Sequence, residues 1–211
     1  MNFHIVTLFP DAFTSYLGES IVKRAIEDKK IWVSFYNPRD YTEDTHARVD
    51  RKPYGGGPGM VIQALPVAKA IEAAQKKAKG KAKIIFLSPR GKQFDTAVAK
   101  TFSKNNDLIL VSGRYEGIDA RVKKIFKMQE VSVGPYVLTG GELPAMILID
   151  SIARQVKGVL GDFNSLEETR VASDDVYTRP DAFVYKKKTY KVPKLLLSGH
   201  HAKIEEWKKK H

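Results

Sequence analysis

Between residues 3 and 156 the chain alternates short apolar runs with stretches of helical pattern, and this alternation limits the fold more than any other feature of the sequence. Residues 3–9 (FHIVTLF), 31–36 (IWVSFY), 83–87 (KIIFL), 107–112 (DLILVS) and 129–133 read as strands. Residues 11–29, starting at Asp11, and 66–78, 95–104, 118–126 and 143–156 read as helices. Two strands can lie parallel only if a long crossover joins them, and a helix is the usual crossover. The expected fold class is therefore α/β, a mostly parallel sheet with helices on both faces. A long Gly- and Pro-rich loop, from Asn37 to about Gln63, interrupts the series.

In such a sheet, ligands bind beyond the carboxyl ends of the strands. Three loops follow strand ends here: Ser88-Pro89-Arg90-Gly91, Gly113-Arg114-Tyr115-Glu116-Gly117, and the turn 134–141. They are expected to converge on one site. The third lies in the window 132–146, SVGPYVLTGGELPAM, where Gly134-Pro135 and Gly140-Gly141 bend the backbone twice within a few residues. Tyr136, Val137 and Leu138 between them offer few polar side-chain atoms, so the loop presents bare backbone N–H and C=O groups, which suit a flat heteroaromatic ring. A plain turn between a strand and a helix has the same composition.

At 211 residues the chain can bury a full core and carry a small appendage. Cysteine is absent, which excludes disulfides, thiolate metal sites and a Cys nucleophile. The N-terminus lacks the basic start and apolar run of a secretory signal, and no apolar stretch approaches the length of a membrane span, so cytoplasmic residence and no membrane partner are expected. The net charge is +12, and residues 186–211 hold nine lysines against two glutamates. A basic, Tyr-containing tail (YKKKTYKVPK) suits phosphate contacts with rings available for stacking; a solvated lysine-rich terminus would look the same. Residues 162–180 are polar and acidic and read as a flexible linker, with a short helix at about 200–210 closing the chain.

Single motifs stay ambiguous on composition alone. The loop Arg51 through Met60 (RKPYGGGPGM) suits backbone amides near a phosphate, yet matches neither a Walker A loop nor a dinucleotide fingerprint, which also sets aside a nucleotide-dependent oxidoreductase. Arg114 and Glu116 between two glycines are either surface decoration or a ligand-facing pair. Arg154 stands four residues after Asp150 on an apolar helix, and spacing alone favours an i,i+4 ion pair. His200-His201 point apart on a helix and have no Cys partner, so no metal site is expected.

Taken together, the strings are specific. Leu8-Phe9-Pro10, Pro38-Arg39-Asp40, PYGGGPGM, Leu87-Ser88-Pro89, GRYEGID, YVLTGGELPAM, Ile149-Asp150-Ser151, Gly158-Val159-Leu160-Gly161, Tyr177-Thr178-Arg179-Pro180 and Leu197-Ser198-Gly199 occur in order almost end to end. The chain closely resembles the TrmD family of bacterial tRNA (guanine-N1)-methyltransferases, of the SPOUT superfamily.

The resemblance implies a knotted catalytic domain over 1–161, with a deep trefoil knot, a linker over 162–180, and a small, reduced helical C-terminal tRNA-binding segment over 181–211. It implies S-adenosylmethionine as methyl donor, held by Leu87, Ser88, Pro89, Gly113, Glu116, Ser132, Val133, Gly134, Pro135, Tyr136, Val137, Leu138, Gly140, Gly141 and Pro144, with backbone around Val133, Tyr136 and Leu138 reading the adenine edge. The implied product is tRNA methylated on N1 of guanosine 37, beside the anticodon. The implied assembly is a homodimer with shared active sites. Tyr54, Gly55, Gly57, Arg114, Tyr115, Lys187, Lys188 and Ser198 fall to the tRNA, a role for Mg²⁺ stays open, and Arg154 falls to the guanine O6 as a cation.

Three departures stand out. Where the family places an Asp base after Ser-x-x-Glu, this chain has Ser165-Leu166-Glu167-Glu168-Thr169, so Glu168 is the substitute candidate, with Glu167 behind it. Pro135 replaces the common Asp of the cofactor loop, removing a carboxylate and a backbone donor. The sequence stops at His211 where relatives of the family continue, so a reduced tRNA-binding segment is expected, with more of the affinity expected on the lysines at 186–194. If Thr169 marks loss of the base, the alternative is a non-catalytic, S-adenosylmethionine-sensing RNA-binding protein.

Overall fold

The computed structural model describes residues 1–79, 81–160 and 175–209, so Glu167, Glu168 and Thr169 lie outside the described residues. The chain divides into two compact units, Met1–Gly161 and Asp162–His211.

The first unit opens with β1 (Asn2–Val6), and the chain then turns through a 3₁₀ segment at Pro10–Phe13 into α1 (Thr14–Leu17) and α2 (Ser20–Glu27). The single helix expected over 11–29 is thus broken. Pro10 starts a tight turn, and Gly18 ends α1 where a Cβ would stand 2.8 Å from the Thr14 carbonyl oxygen. β2 (Trp32–Tyr36) follows, then a 3₁₀ turn at Pro38–Tyr41 capped by the Asn37 side chain. Two short strands, β3 (Asp50–Arg51) and β4 (Val61–Ile62), pair antiparallel and close the base of the Gly-rich loop. In that loop Gly55, Gly56 and Gly57 have φ of 85°, 81° and 111°, a run that side chains with a Cβ rarely adopt.

α3 (Ala64–Lys77), β5 (Lys83–Gln93), α4 (Thr96–Phe102), β6 (Asp107–Ser112), α5 (Arg121–Ile125), β7 (Gln129–Ser132) and α6 (Glu142–Ala153) complete the unit. The five-stranded sheet has the order β2-β1-β6-β5-β7, every pair parallel. Central strands are buried on both faces, which is why they read as continuous apolar runs. Phe3, Ile5, Ile85, Leu108 and Leu110 pack against Phe13, Phe102, Leu148 and Ile152 on one face. Val6, Ile84, Phe86, Ile109 and Val111 pack against Val67, Ile71 and Val122 on the other.

β5 differs from expectation. It does not end at Leu87: both Leu87 and Lys92 sit opposite Val131, so Ser88–Gly91 form an excursion inside one long strand. The chain returns because Gly91 lets the backbones touch, and a Cβ there would stand 2.4 Å from the Val131 nitrogen.

The second unit corrects the expectation of a purely helical segment over 181–211. β8 (Ala182–Tyr185) and β9 (Lys188–Lys191) form an antiparallel hairpin, followed by a 3₁₀ turn at Lys194–Leu197 and α7 (His201–Lys208). The hairpin escapes sequence reading because its turn residues are Lys186 and Lys187, neither a hairpin-turn signal.

Gly91→Ala is expected to cost about 1–3 kcal/mol, the range for forcing an extra carbon into a packed site. A lower urea midpoint with an unchanged m-value measures it; a midpoint equal to wild type contradicts the close approach.

Candidate functional site

The segments beyond the carboxyl ends of β1 and β6 are tied to the start of α6 by one buried carboxylate. Glu142, at the first position of α6, is 2% exposed. Its Oε1 accepts from the Thr7 hydroxyl just past β1 (2.8 Å), and its Oε2 from Arg114 Nε in the loop after β6 (2.8 Å). The Arg114 guanidinium lies over the Phe9 ring, 4.6 Å from its centroid, and donates to the Thr139 carbonyl (3.4 Å). A buried carboxylate needs such partners, because desolvation otherwise exceeds what a single contact returns.

The two glycines before Glu142 make this closure possible. The Gly141 N–H donates to the Gly113 carbonyl (2.9 Å), and Arg114 and Gly140 form an antiparallel bridge. A Cβ on Gly141 would meet the Ser112 Cα at 2.6 Å; one on Gly140 would meet Arg114 Nε at 2.3 Å and Glu142 Oε2 at 2.5 Å. The turn 134–141 is therefore pressed against the loop after β6. Ser112, beneath Gly141, has a buried hydroxyl oxygen with no hydrogen-bond partner among the described residues.

Upstream, the Ser132 hydroxyl donates to the Gly134 carbonyl (2.9 Å), and a Cβ on Gly134 would collide with the Tyr136 ring. Pro135, Tyr136, Val137 and Leu138 are exposed, whereas Ser132, Gly134 and Pro144 are buried and Val133 is partly so. Leu87 is buried at the start of the β5 excursion that carries Ser88 and Pro89.

The Gly-rich loop docks beside these turns. The Glu116 N–H donates to the Met60 carbonyl and the Ile62 N–H to the Gly117 carbonyl, each at 3.0 Å. Gly59 sits against the Glu116 side chain, where a Cβ would lie 2.8 Å from Oε1. Tyr54 is fully exposed, Gly55 and Gly57 are exposed, and Tyr115 is half exposed. Close by, Arg121 forks onto Asp119 (3.0 and 2.7 Å) and holds that carboxyl below its usual range, mainly through the side-chain hydrogen bond.

Of the expected site residues, the structure brings together the loop after β6, the turn 134–141 and the 51–60 loop, with the 88–91 excursion of β5 lying beside β7. It does not bring Arg154 to them within one chain. Arg154 caps the far end of α6, and at 1.5 Å per residue it stands about 20 Å along the helix from Gly141. Near that end, Asp150 accepts from the Tyr16 hydroxyl (2.6 Å). This hydrogen bond, followed by burial and the Asp150 charge, pushes the Tyr16 hydroxyl up to about 12. Lys187, Lys188 and Ser198 belong to the second unit, where the Ser198 hydroxyl donates to the Leu195 carbonyl (2.7 Å).

Thr7, Phe9, Glu142 and Tyr16 were not singled out from the sequence as site residues. Glu142 carried a signal: it is the one acidic residue entering the apolar run LPAMILI, a place that a carboxylate tolerates only with dedicated partners. A cleft lined by Gln75, Lys83 and Phe126–Gln129 lies at the opposite, amino-terminal ends of β5 and β7 and holds none of the expected residues. Among the described residues there is no metal-binding cluster of His, Cys, Asp and Glu, and no helix long and apolar enough to cross a membrane.

The whole chain, residues 1–211, matches the family model described as tRNA (Guanine-1)-methyltransferase TrmD. A tRNA (guanine-N(1)-)-methyltransferase of Photobacterium profundum is 46% identical over 210 residues, covering 98% of this chain and 83% of the relative. One from Clostridioides difficile is 44% identical over 214 residues, covering 99% and 91%. The crystal structure of tRNA (m1G37) methyltransferase from Aquifex aeolicus superposes with a TM-score of 0.81 at 36% identity, covering all of this chain and 88% of that one.

Glu142→Gln removes the ionic partner of Arg114, which is itself 26% exposed, and is expected to cost about 3 kcal/mol, the low end for breaking a buried pair. Equilibrium unfolding reads this, and a loss under about 0.5 kcal/mol contradicts the tie. For Tyr16 the sign runs the other way from a carboxylate. Its hydroxyl is favoured in the folded state, so its stabilisation is full below the ordinary value of 10 and is lost as pH rises through about 12. The stability gap between wild type and Tyr16→Phe should be widest at pH 8 and narrow above pH 10; a gap constant to pH 11.5 contradicts the bond.

Proposed function

The chain belongs to the TrmD family of tRNA (guanine-1)-methyltransferases, and from that membership we propose a tRNA (guanine-N1)-methyltransferase that takes its methyl group from S-adenosylmethionine and acts on the guanosine at position 37, beside the anticodon. The observation that carries the reading is the closure of the 134–141 turn onto Gly113 and Arg114 by Glu142. Position 37 is supported by the likeness to the tRNA (m1G37) methyltransferase of Aquifex aeolicus.

The residues present fit the donor. The exposed run 135–138 keeps backbone groups available to a flat ring, the glycines leave no side chain in the way, and the buried Ser112 hydroxyl offers an unused hydrogen-bonding group. Pro135 alone in this run has no N–H to give. The exposed Glu116 carboxylate suits a cationic amino-acid end. Leu87, Ser88 and Pro89 in the β5 excursion form the facing wall. When bound, S-adenosylmethionine supplies a sulfonium-activated methyl group; the protein's work is alignment and charge control. We place the family's trefoil knot at the turn 134–141, a reading supported by its closure onto Gly113 and Arg114.

Guanine N1 carries a proton at neutral pH, and its removal drives negative charge onto O6. A guanidinium at O6 stabilises that charge, the role proposed for Arg154, with Glu168 as the proton acceptor and Glu167 behind it. Arg154 stands about 20 Å along α6 from Gly141, so a second copy must supply it. The exposed Leu143 and Ile147 on α6 suit an antiparallel pairing of two α6 helices about a two-fold axis, which sets Arg154 of one subunit beside the turn of the other. The 51–60 loop and Tyr115 face the incoming nucleotide, the second unit holds the anticodon arm through Lys187 and Lys188, the segment 162–180 links the two, and the enzyme works in the cytoplasm.

Methyl transfer from labelled S-adenosylmethionine to anticodon stem-loops tests this. Label should enter stem-loops with guanosine at position 37 and not those with adenosine; an EDTA arm reads any need for Mg²⁺. Binding of the donor without transfer would support the non-catalytic alternative. Arg154→Ala should lower kcat by about 10²–10³, the scale for losing one oxyanion donor, while donor affinity stays within about twofold. Equal loss of both contradicts the assignment.

A further inference from the structure

We propose that the hairpin of the second unit is a nucleotide-reading finger: its tip lysines take backbone phosphates, and its aromatic face stacks on an unpaired base of the RNA. The proposal rests on the tRNA reading above and names how this unit would grip the loop rather than the stem.

Residues opposite each other in an antiparallel pair share a face. Phe183 pairs with Tyr190 and Tyr185 with Lys188, so these four side chains stand on one side of the hairpin. The Phe183 and Tyr190 rings stack at 5.5 Å and 18°, and Phe183, Tyr185 and Tyr190 are all exposed. Isolated exposed aromatics need no explanation, but three on one face of a four-residue-strand hairpin, two of them already stacked, form a cluster that a base can extend. Lysines cover it: Lys188 Nζ lies 5.4 Å from the Tyr190 centroid, and Lys186 Nζ 5.5 Å from that of Tyr185. A cation on an exposed ring is a replaceable cover. A base has a π-face that stacks on the same ring, and each displaced ammonium is left a few ångströms from where the flanking phosphate must run.

The turn argues for the same occupant. Lys186 and Lys187 have φ of 46° and 63°, the left-handed pair that a two-residue hairpin turn requires. Asn-Gly fills such a turn without strain, whereas two lysines resist it. Local stability therefore does not account for lysine here; positive charge at a projecting tip does. An apolar or basic partner would gain nothing from it, while a phosphate backbone would, and the exposed rings beside it suit a base rather than a carboxylate.

The test separates the two contacts in the full-length protein, using tRNA anticodon stem-loops and the same stem closed as a loopless duplex. Lys186→Asn with Lys187→Gly should unfold at the same or a higher temperature than wild type, yet bind stem-loops more weakly and with a salt slope shallower by about 1.5, as expected for two lost phosphate contacts. Phe183→Leu with Tyr190→Leu should weaken stem-loop binding about tenfold, the scale of one lost base stack, with an unchanged salt slope and little effect on the duplex. Wild-type affinity for stem-loops in the aromatic variant overturns the proposal, as does equal weakening on stem-loop and duplex. A changed oligomeric state with intact RNA binding would assign the face to a second copy and also overturn it. Failure of the tRNA reading itself is distinguishable: the wild-type protein would then transfer no methyl group to any stem-loop.

Discussion

A single buried carboxylate organises the end of the first unit where the loop after β6 and the turn 134–141 meet. Glu142 reaches Thr7 after β1 and Arg114 after β6 from the first turn of α6, so three segments far apart in sequence share one charge. That charge is stable in the interior only because Arg114 is held in turn by the Phe9 ring and the Thr139 carbonyl. The geometry leaves no space for side chains at Gly140 and Gly141, and their absence brings the 134–141 backbone onto Ser112 and Gly113. Closure of the turn, exposure of its backbone and the placing of α6 all follow from this contact.

Much of this was legible from periodicity. The buried strands have their apolar runs because parallel central strands face helices on both sides, and the loops after β6 and β7 follow from where those runs end. What was not legible depended on contacts between segments. Nothing local in 88–91 says that β5 resumes beyond it; that outcome rests on Gly91 approaching Val131 from another strand. The hairpin at 182–191 was hidden by Lys186-Lys187, whose left-handed conformation runs against their own preference. Glu142 carries two opposed signals, a carboxylate that is ordinary at a helix N-terminus and one that is unusual at the mouth of an apolar run, and its burial decides between them. The individual motifs stayed ambiguous one by one, and their order along the chain resolved them.

Chemistry and architecture meet in the length of α6. Its first residue closes the turn proposed to hold the donor, while Arg154, proposed to stabilise charge on the guanine, caps its other end. On the proposed roles, one helix carries two groups that its own chain holds about 20 Å apart. Exposed Leu143 and Ile147 make a paired arrangement of α6 helices physically reasonable, since an apolar stripe on a helix is stabilised by burial against its like. The proposed pairing would bring the two ends together across a two-fold axis.

Intersubunit complementation tests that arrangement most directly. Arg154→Ala and Gly140→Val each disable one half of the site, so each homodimer should be inactive in methyl transfer. A purified heterodimer carrying one of each contains one site with both halves intact, and the account predicts that it regains about half of wild-type turnover, as one working site of two in a two-fold dimer implies. A heterodimer as inactive as its parents would show that both halves act within one chain and would contradict the account.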